Sequence, residues 1–268
     1  MIIGNKEFDV LNRTNIMGIL NLTPDSFSDG GRFICLDDAL KQAELMISQG
    51  ADIIDIGGES TRPGYSQISE QEELERILPV IERLASEFDT VISVDTYKSA
   101  VADEALKAGA SMVNDIWGFK YDDKMAHVVA KHGACCCLMH NRKEAVYADF
   151  LQDVLEDLKG SIEIAKAAGI ADDRIILDPG IGFGKTYEMN LTVLKNLEYF
   201  RKLGYPMLLG ASRKSVIGEA LDLPKDCREE GTIATSVLAA ESGYAFVRVH
   251  DVEKNLRAIR MTEATMKA

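Results

Sequence analysis

Ile16-Met17-Gly18-Ile19-Leu20-Asn21-Leu22-Thr23-Pro24 is an apolar run that stops at an amide and turns at a proline. An open doubly wound sheet wants a Gly-x-Gly-x-x-Gly turn after its first strand, and this stretch is nothing of the kind. Seven more runs rich in Ile, Val, Leu and Met follow, at residues 53–56, 91–94, 112–115, 134–139, 175–177, 207–209 and 246–249. Between them apolar residues recur with helical spacing over 37–49, 70–88, 99–108, 123–131, 150–168, 188–203 and 232–242, and 253–267 reads as a closing helix. Gly50, Gly109, Gly133, Gly169, Gly204 and Gly243 each lie between a helical stretch and the next run, where a left-handed C-cap fits. Runs apolar on both faces imply strands covered on both sides, and short βα repeats imply parallel pairing with right-handed crossovers. Eight such units predict a closed (β/α)₈ TIM barrel, in one domain over residues 1–268.

Size and charge narrow the function. The 268 residues suit one barrel, and 46% hydrophobic content fills a large core. A net charge of −13 argues against a nucleic-acid partner, which would demand concentrated positive charge. An acidic protein still binds a small anion where a few cations converge on one pocket. Residues 1–7 are interrupted too soon by charge to read as a signal peptide, and no apolar run is long enough for a membrane span, so a cytoplasmic protein is expected. Five cysteines, three of them adjacent at Cys135-Cys136-Cys137, form neither a metal pattern nor a disulfide framework and read as reduced thiols.

A (β/α)₈ barrel builds its active site at the carboxyl ends of its strands. The polar residues there are Asn21, Asp55 with Glu59, Asp95, Asn114 and Asp115, His140, Asp178, Ser212 to Lys214, and Arg248 with His250. Any one of them has a plain structural explanation, since an Asp after a strand often caps the next helix or closes a turn. So many together point to chemistry. Two turn-rich stretches, Thr23-Pro24-Asp25-Ser26-Phe27-Ser28-Asp29-Gly30-Gly31 and Glu59-Ser60-Thr61-Arg62-Pro63-Gly64, carry hydroxyls with one aromatic or one arginine and read as lids. His127 and His132 fall in a helical pattern and read as surface or rim residues.

With these motifs in view, the chain resembles the dihydropteroate synthase family from Ile16 to His250. Both lid motifs carry the likeness, together with Val94-Asp95-Thr96, Val113-Asn114-Asp115, Asp178-Pro179-Gly180-Ile181-Gly182-Phe183-Gly184-Lys185, Gly210-Ala211-Ser212-Arg213-Lys214-Ser215 and Val247-Arg248-Val249-His250. The resemblance implies that p-aminobenzoate replaces the diphosphate of 6-hydroxymethyl-7,8-dihydropterin diphosphate. It implies Asp95, Asn114, Asp178 and Lys214 on the pterin edge, with Met139 and Phe183 on its faces. Asn21 holding Mg²⁺, Thr61, Arg62, Arg248 and His250 would meet the diphosphate. Phe27, Pro63 and Phe183 would enclose the p-aminobenzoate ring, with Ser212 near its carboxylate. Asp95, Asp178, Lys214 and Arg248 would be the catalytic set, and the family likeness also implies a homodimer and a sulfonamide target. Two departures, Leu22 and Tyr65, touch only the loop surface.

Other readings share part of this pattern. A pterin-dependent methyltransferase barrel would use the same acids and amide but has no need of a diphosphate site. An aldolase using Lys214 as a Schiff base would want the glycine pair of a sugar-phosphate site in the loops after the last two strands, and these loops lack it. A non-catalytic pterin-binding paralogue would hold pterin without turnover.

Overall fold

The computed structural model describes residues 1–23, 36–60 and 67–268. Its order is β1 (Ile2–Ile3), β2 (Lys6–Glu7), β3 (Asn15–Asn21), α1 (Leu36–Ser48), β4 (Ile53–Gly57), α2 (Glu70–Glu87), β5 (Val91–Asp95), α3 (Ser99–Ala108), β6 (Met112–Asp115), α4 (Met125–His132), β7 (Cys135–Met139), α5 (Phe150–Ala167), β8 (Ile175–Asp178), α6 (Tyr187–Lys195), α7 (Leu197–Phe200), β9 (Leu208–Leu209), α8 (Ser215–Leu221), α9 (Glu229–Glu241), β10 (Phe246–Val249) and α10 (Val252–Met266).

The predicted barrel forms. Its 8-stranded sheet runs β8-β7-β6-β5-β4-β3-β10-β9, every described pair is parallel, and a Leu177↔Met207 bridge closes the ring between β8 and β9. Alternation along each strand divides the core in two. Inside the barrel Met17, Ile53, Val91, Met112, Cys135, Cys137, Ile176 and Phe246 pack together. Outside it Ile16, Ile54, Val94, Val113, Cys136, Leu177 and Val247 face the helices. The cysteine run therefore obeys the pleat, with Cys135 and Cys137 inward and Cys136 outward. All six proposed C-cap glycines have positive φ.

Three features differ from the sequence reading. β1 and β2 form a 2-stranded antiparallel hairpin whose Ile3, with the following Phe8, plugs the amino-terminal end of the barrel; Phe8 packs at 5.8 Å from the Phe246 ring. Strands this short carry no readable period. The helix expected over 188–203 breaks at Asn196 (φ −121, ψ 35), whose side-chain amide donates to the Thr192 carbonyl in place of regular backbone geometry. A short helix, α8, follows Lys214. Among the described residues, no helix is long and apolar enough to cross a membrane.

Candidate functional site

Strand register brings the polar strand ends together. Asp95 on β5 lies opposite Asn114 on β6, and Met139 on β7 lies opposite Asp178 on β8. Neighbours in a parallel ladder point the same way, so residues far apart in sequence share the mouth.

Arg248 on β10 is the hub. Its Nε donates to Asp55 Oδ2 at 2.5 Å and its Nη2 to Asp95 Oδ2 at 2.6 Å. Asn114 Nδ2 donates to the same Asp55 oxygen at 3.1 Å. Burial would lower the guanidinium pKa, but Asp55 and Asp95 outweigh it and hold the group charged. Burial drives Asp95 the other way, up to about 7, against the pull of Arg248 and with Asp55 adding its repulsion. Asp55 Oδ1 and Asp95 Oδ1 are buried with no hydrogen-bond partner among the described residues. A buried acceptor left unpaired costs about 1–3 kcal/mol, so such atoms mark a surface made to receive a donor.

Across the mouth, Asp178 Oδ1 accepts the Gly180 N–H at 2.7 Å, and burial raises its pKa. A Cβ on Gly210 would come within 3.2 Å of Asp178 Oδ2, so glycine leaves that oxygen accessible. Lys214 enters from the turn before α8, where Arg213 is held at φ 55. Its ammonium donates to the Ile181 carbonyl and lies 4.7 Å from the centre of the Phe183 ring. Burial brings Lys214 down to about 8, with Asp178 opposing. Met139 and Phe183 join Tyr97, Ile116 and Trp117 in one apolar cluster beside these groups.

The remaining strand-end residues divide. Ser212 Oγ lies 2.8 Å from His250 Nδ1 and accepts the His250 backbone N–H at 3.2 Å, which ties it to that imidazole. Asp115 accepts the Trp117 and Phe119 N–H groups and so closes a turn. Glu59 pairs with Lys98 at 2.7 Å and accepts from the Tyr97 hydroxyl, away from the acids. Lys98 also holds Glu73 at 2.7 Å. His127 is exposed, and His132 pairs with Asp103 at 2.7 Å. Phe27, Thr61, Arg62 and Pro63 lie outside the described residues.

Sequence reasoning counted Asp55 among the strand-end polar residues without giving it a partner, and it gave no role to Lys185. Asp55 was visible as a carboxylate inside an apolar run. Lys185 was visible only as the end of a glycine-rich motif; its Nζ lies 2.7 Å from His140 Nδ1.

For a metal, Asn21 at the end of β3 offers one neutral amide oxygen. Among the described residues, no group of three or more His, Cys, Asp or Glu side chains is placed to hold an ion. That donor set suits Mg²⁺, which keeps waters and takes substrate phosphate oxygens beside one or two protein ligands.

Fold and site together define a (β/α)₈ barrel whose strand ends gather buried carboxylates, an amide and two cations at one mouth. Residues 17–250 match the family described as pterin binding enzyme. A dihydropteroate synthase of Clostridium beijerinckii is 57% identical over 268 residues, covering 100% of both chains. A crystal structure of dihydropteroate synthase from Clostridium difficile in the presence of pteroic acid superimposes with a TM-score of 0.95 at 53% identity, covering 98% of this chain and 100% of that one. The Yersinia pestis dihydropteroate synthase in complex with a sulfonamide drug gives 0.94 at 43% identity, covering 100% and 99%. The chain belongs to the pterin-binding enzymes and, within them, to the dihydropteroate synthases, transferases of folate biosynthesis.

Proposed function

We propose that the chain joins 6-hydroxymethyl-7,8-dihydropterin diphosphate to p-aminobenzoate, with Asp95, Asn114, Asp178 and Lys214 holding the pterin. The observation that carries this is the pair of buried strand-end acids, Asp95, whose Oδ1 has no hydrogen-bond partner among the described residues, and Asp178, with the charge of both acting on Lys214. A pterin edge offers N–H donors and ring-nitrogen acceptors in alternation, which pairs with two carboxylates, an amide and an ammonium.

The C–O bond to diphosphate breaks first and leaves a cationic pterin, which Asp95 and Asp178 stabilise as carboxylates. The aniline nitrogen then forms the C–N bond and gives up a proton. Arg248, His250, Asn21, Thr61 and Arg62 receive the leaving diphosphate. Mg²⁺ bound through Asn21 would supply charge neutralisation for that group. Phe27, Pro63 and Phe183 enclose the p-aminobenzoate ring, and a sulfonamide drug, sharing that ring, competes there.

The enzyme works in the cytoplasm as a homodimer. Leu221, Leu223 and Leu238 are each more than a third exposed on or beside α8 and α9, which supports a second copy against these helices. A monomer mass in sedimentation at micromolar concentration would rule the dimer out.

The decisive experiment measures pyrophosphate release from the pterin diphosphate and Mg²⁺, with and without p-aminobenzoate, for the wild type, Asp178→Asn and Lys214→Ala. Dihydropteroate and pyrophosphate are expected in step, and to fall sharply in both variants. Tight pterin binding with no turnover would favour the methyltransferase or the binding-only protein.

A further inference from the structure

We propose that Lys185 is a positioning residue for the pterin face: its ammonium clamps the turn that presents Phe183. The proposal rests on the pterin reading above. Lys185 Nζ lies 2.7 Å from His140 Nδ1, 2.9 Å from the Gly180 carbonyl and 3.0 Å from the Phe183 carbonyl. An ammonium has three protons, and three acceptors meet them. Two of those acceptors belong to the turn from Gly180 to Gly184 itself.

The turn has no slack beneath it. A Cβ on Gly180 would fall 2.0 Å from the His140 carbonyl oxygen, and one on Gly184 would fall 2.5 Å from that of Arg142. Backbone therefore lies on backbone, and the segment after β8 takes its shape from the segment after β7. His140 is held from its far side, where Nε2 lies 3.1 Å from Asp157 Oδ2 and Arg142 Nε donates to the same oxygen at 2.6 Å. With Asp157 accepting at Nε2, the imidazole keeps Nδ1 free of a proton and open to Lys185. Burial pushes His140 down to about 4, which preserves that neutral form. Burial also draws Lys185 down to about 7, against the attraction of Asp178, so the ammonium that meets all three acceptors is the major form below that pH, where the clamp is complete.

The consequence reaches the site through Phe183. Its ring lies under the Lys214 ammonium and packs in the cluster with Met139. Without Lys185, two turn carbonyls and one imidazole nitrogen lose a buried donor, and the turn is expected to relax so that Phe183 leaves the pterin face.

The test is a calorimetric titration with 6-hydroxymethylpterin, which carries no diphosphate and does not turn over. Wild type, Lys185→Met, Phe183→Ala and the double variant are compared. Lys185→Met is expected to weaken binding about tenfold to hundredfold, the range that follows from stranding buried acceptors. The double variant should bind no worse than Phe183→Ala, because the lysine acts through that ring. Equal affinity of Lys185→Met and wild type, or penalties that multiply in the double variant, would overturn the clamp. Absence of binding by the wild type would sink the pterin reading and the clamp with it. Should Lys185→Met not fold, ¹⁵N chemical shifts of His140 in the wild type still decide: an unprotonated Nδ1 is expected, and a proton there excludes the arrangement.

Discussion

Arg248 Nη2 meets Asp95 Oδ2 at 2.6 Å, and the two residues stand 153 positions apart in the chain. The same guanidinium holds Asp55, so one cation keeps two buried carboxylates compatible. Removing it strands both buried acids, and breaking a buried pair costs about 3–5 kcal/mol. Arg248→Met is therefore expected to lower the unfolding free energy from urea denaturation by that much, seen as a lower midpoint, and to reduce pyrophosphate release by a factor on the order of a hundred. An unchanged midpoint would show that the two acids do not depend on Arg248.

The protonation of Asp95 sets an acid limit on activity. Its pKa is pushed up to about 7 by burial. Below that pH the carboxyl is protonated and neutral and offers no charge to a cationic pterin; above it the carboxylate is present. The value of kcat/KM for the pterin diphosphate should thus fall as pH drops through about 7, and Asp95→Asn should be slow and lack that limb. A wild-type kcat/KM that stays level from pH 8 to pH 5 would remove Asp95 from this role.

Ser212 separates two roles by a simple substitution. Its contact with His250 predicts that Ser212→Ala raises KM for the pterin diphosphate several-fold, about 1 kcal/mol for one lost hydrogen bond, and leaves KM for p-aminobenzoate alone. The opposite split in steady-state kinetics would put Ser212 at the p-aminobenzoate carboxylate.

The amino-terminal plug should matter for stability only. Phe8 is 5% exposed against Phe246, at the end of the barrel away from the acids. Phe8→Ala is expected to cost about 3–5 kcal/mol in chemical denaturation with unchanged kcat/KM. A large loss of turnover at full folding would mean that the two ends of the barrel are coupled.

Much of this was legible in the chain because the barrel is written in short periods. The eight apolar runs and the glycines after the helices fall where strands and C-caps form, since alternation and positive φ are local demands. The polar residue after each run is legible for the same reason, because the fold puts every strand's carboxyl end at one mouth. The plug escaped notice because Ile2–Ile3 and Lys6–Glu7 are too short to show a period. The break at Asn196 escaped because apolar spacing continues across it, while one side chain takes a backbone acceptor.

By itself the sequence determined the barrel and the inventory of groups at its mouth. Only the tertiary structure decided how those groups are paired. Asp55 and Asp115 both end or interrupt apolar runs, yet one takes Arg248 and the other closes a turn, because alternate residues of a strand point to opposite faces. Lys185 and Lys214 each follow a strand end by a few residues, yet one clamps a turn from beneath while the other lies near the acids. Such choices depend on distances between strands that are remote along the chain, and a hydrogen bond exists only where folding brings donor and acceptor within about 3 Å.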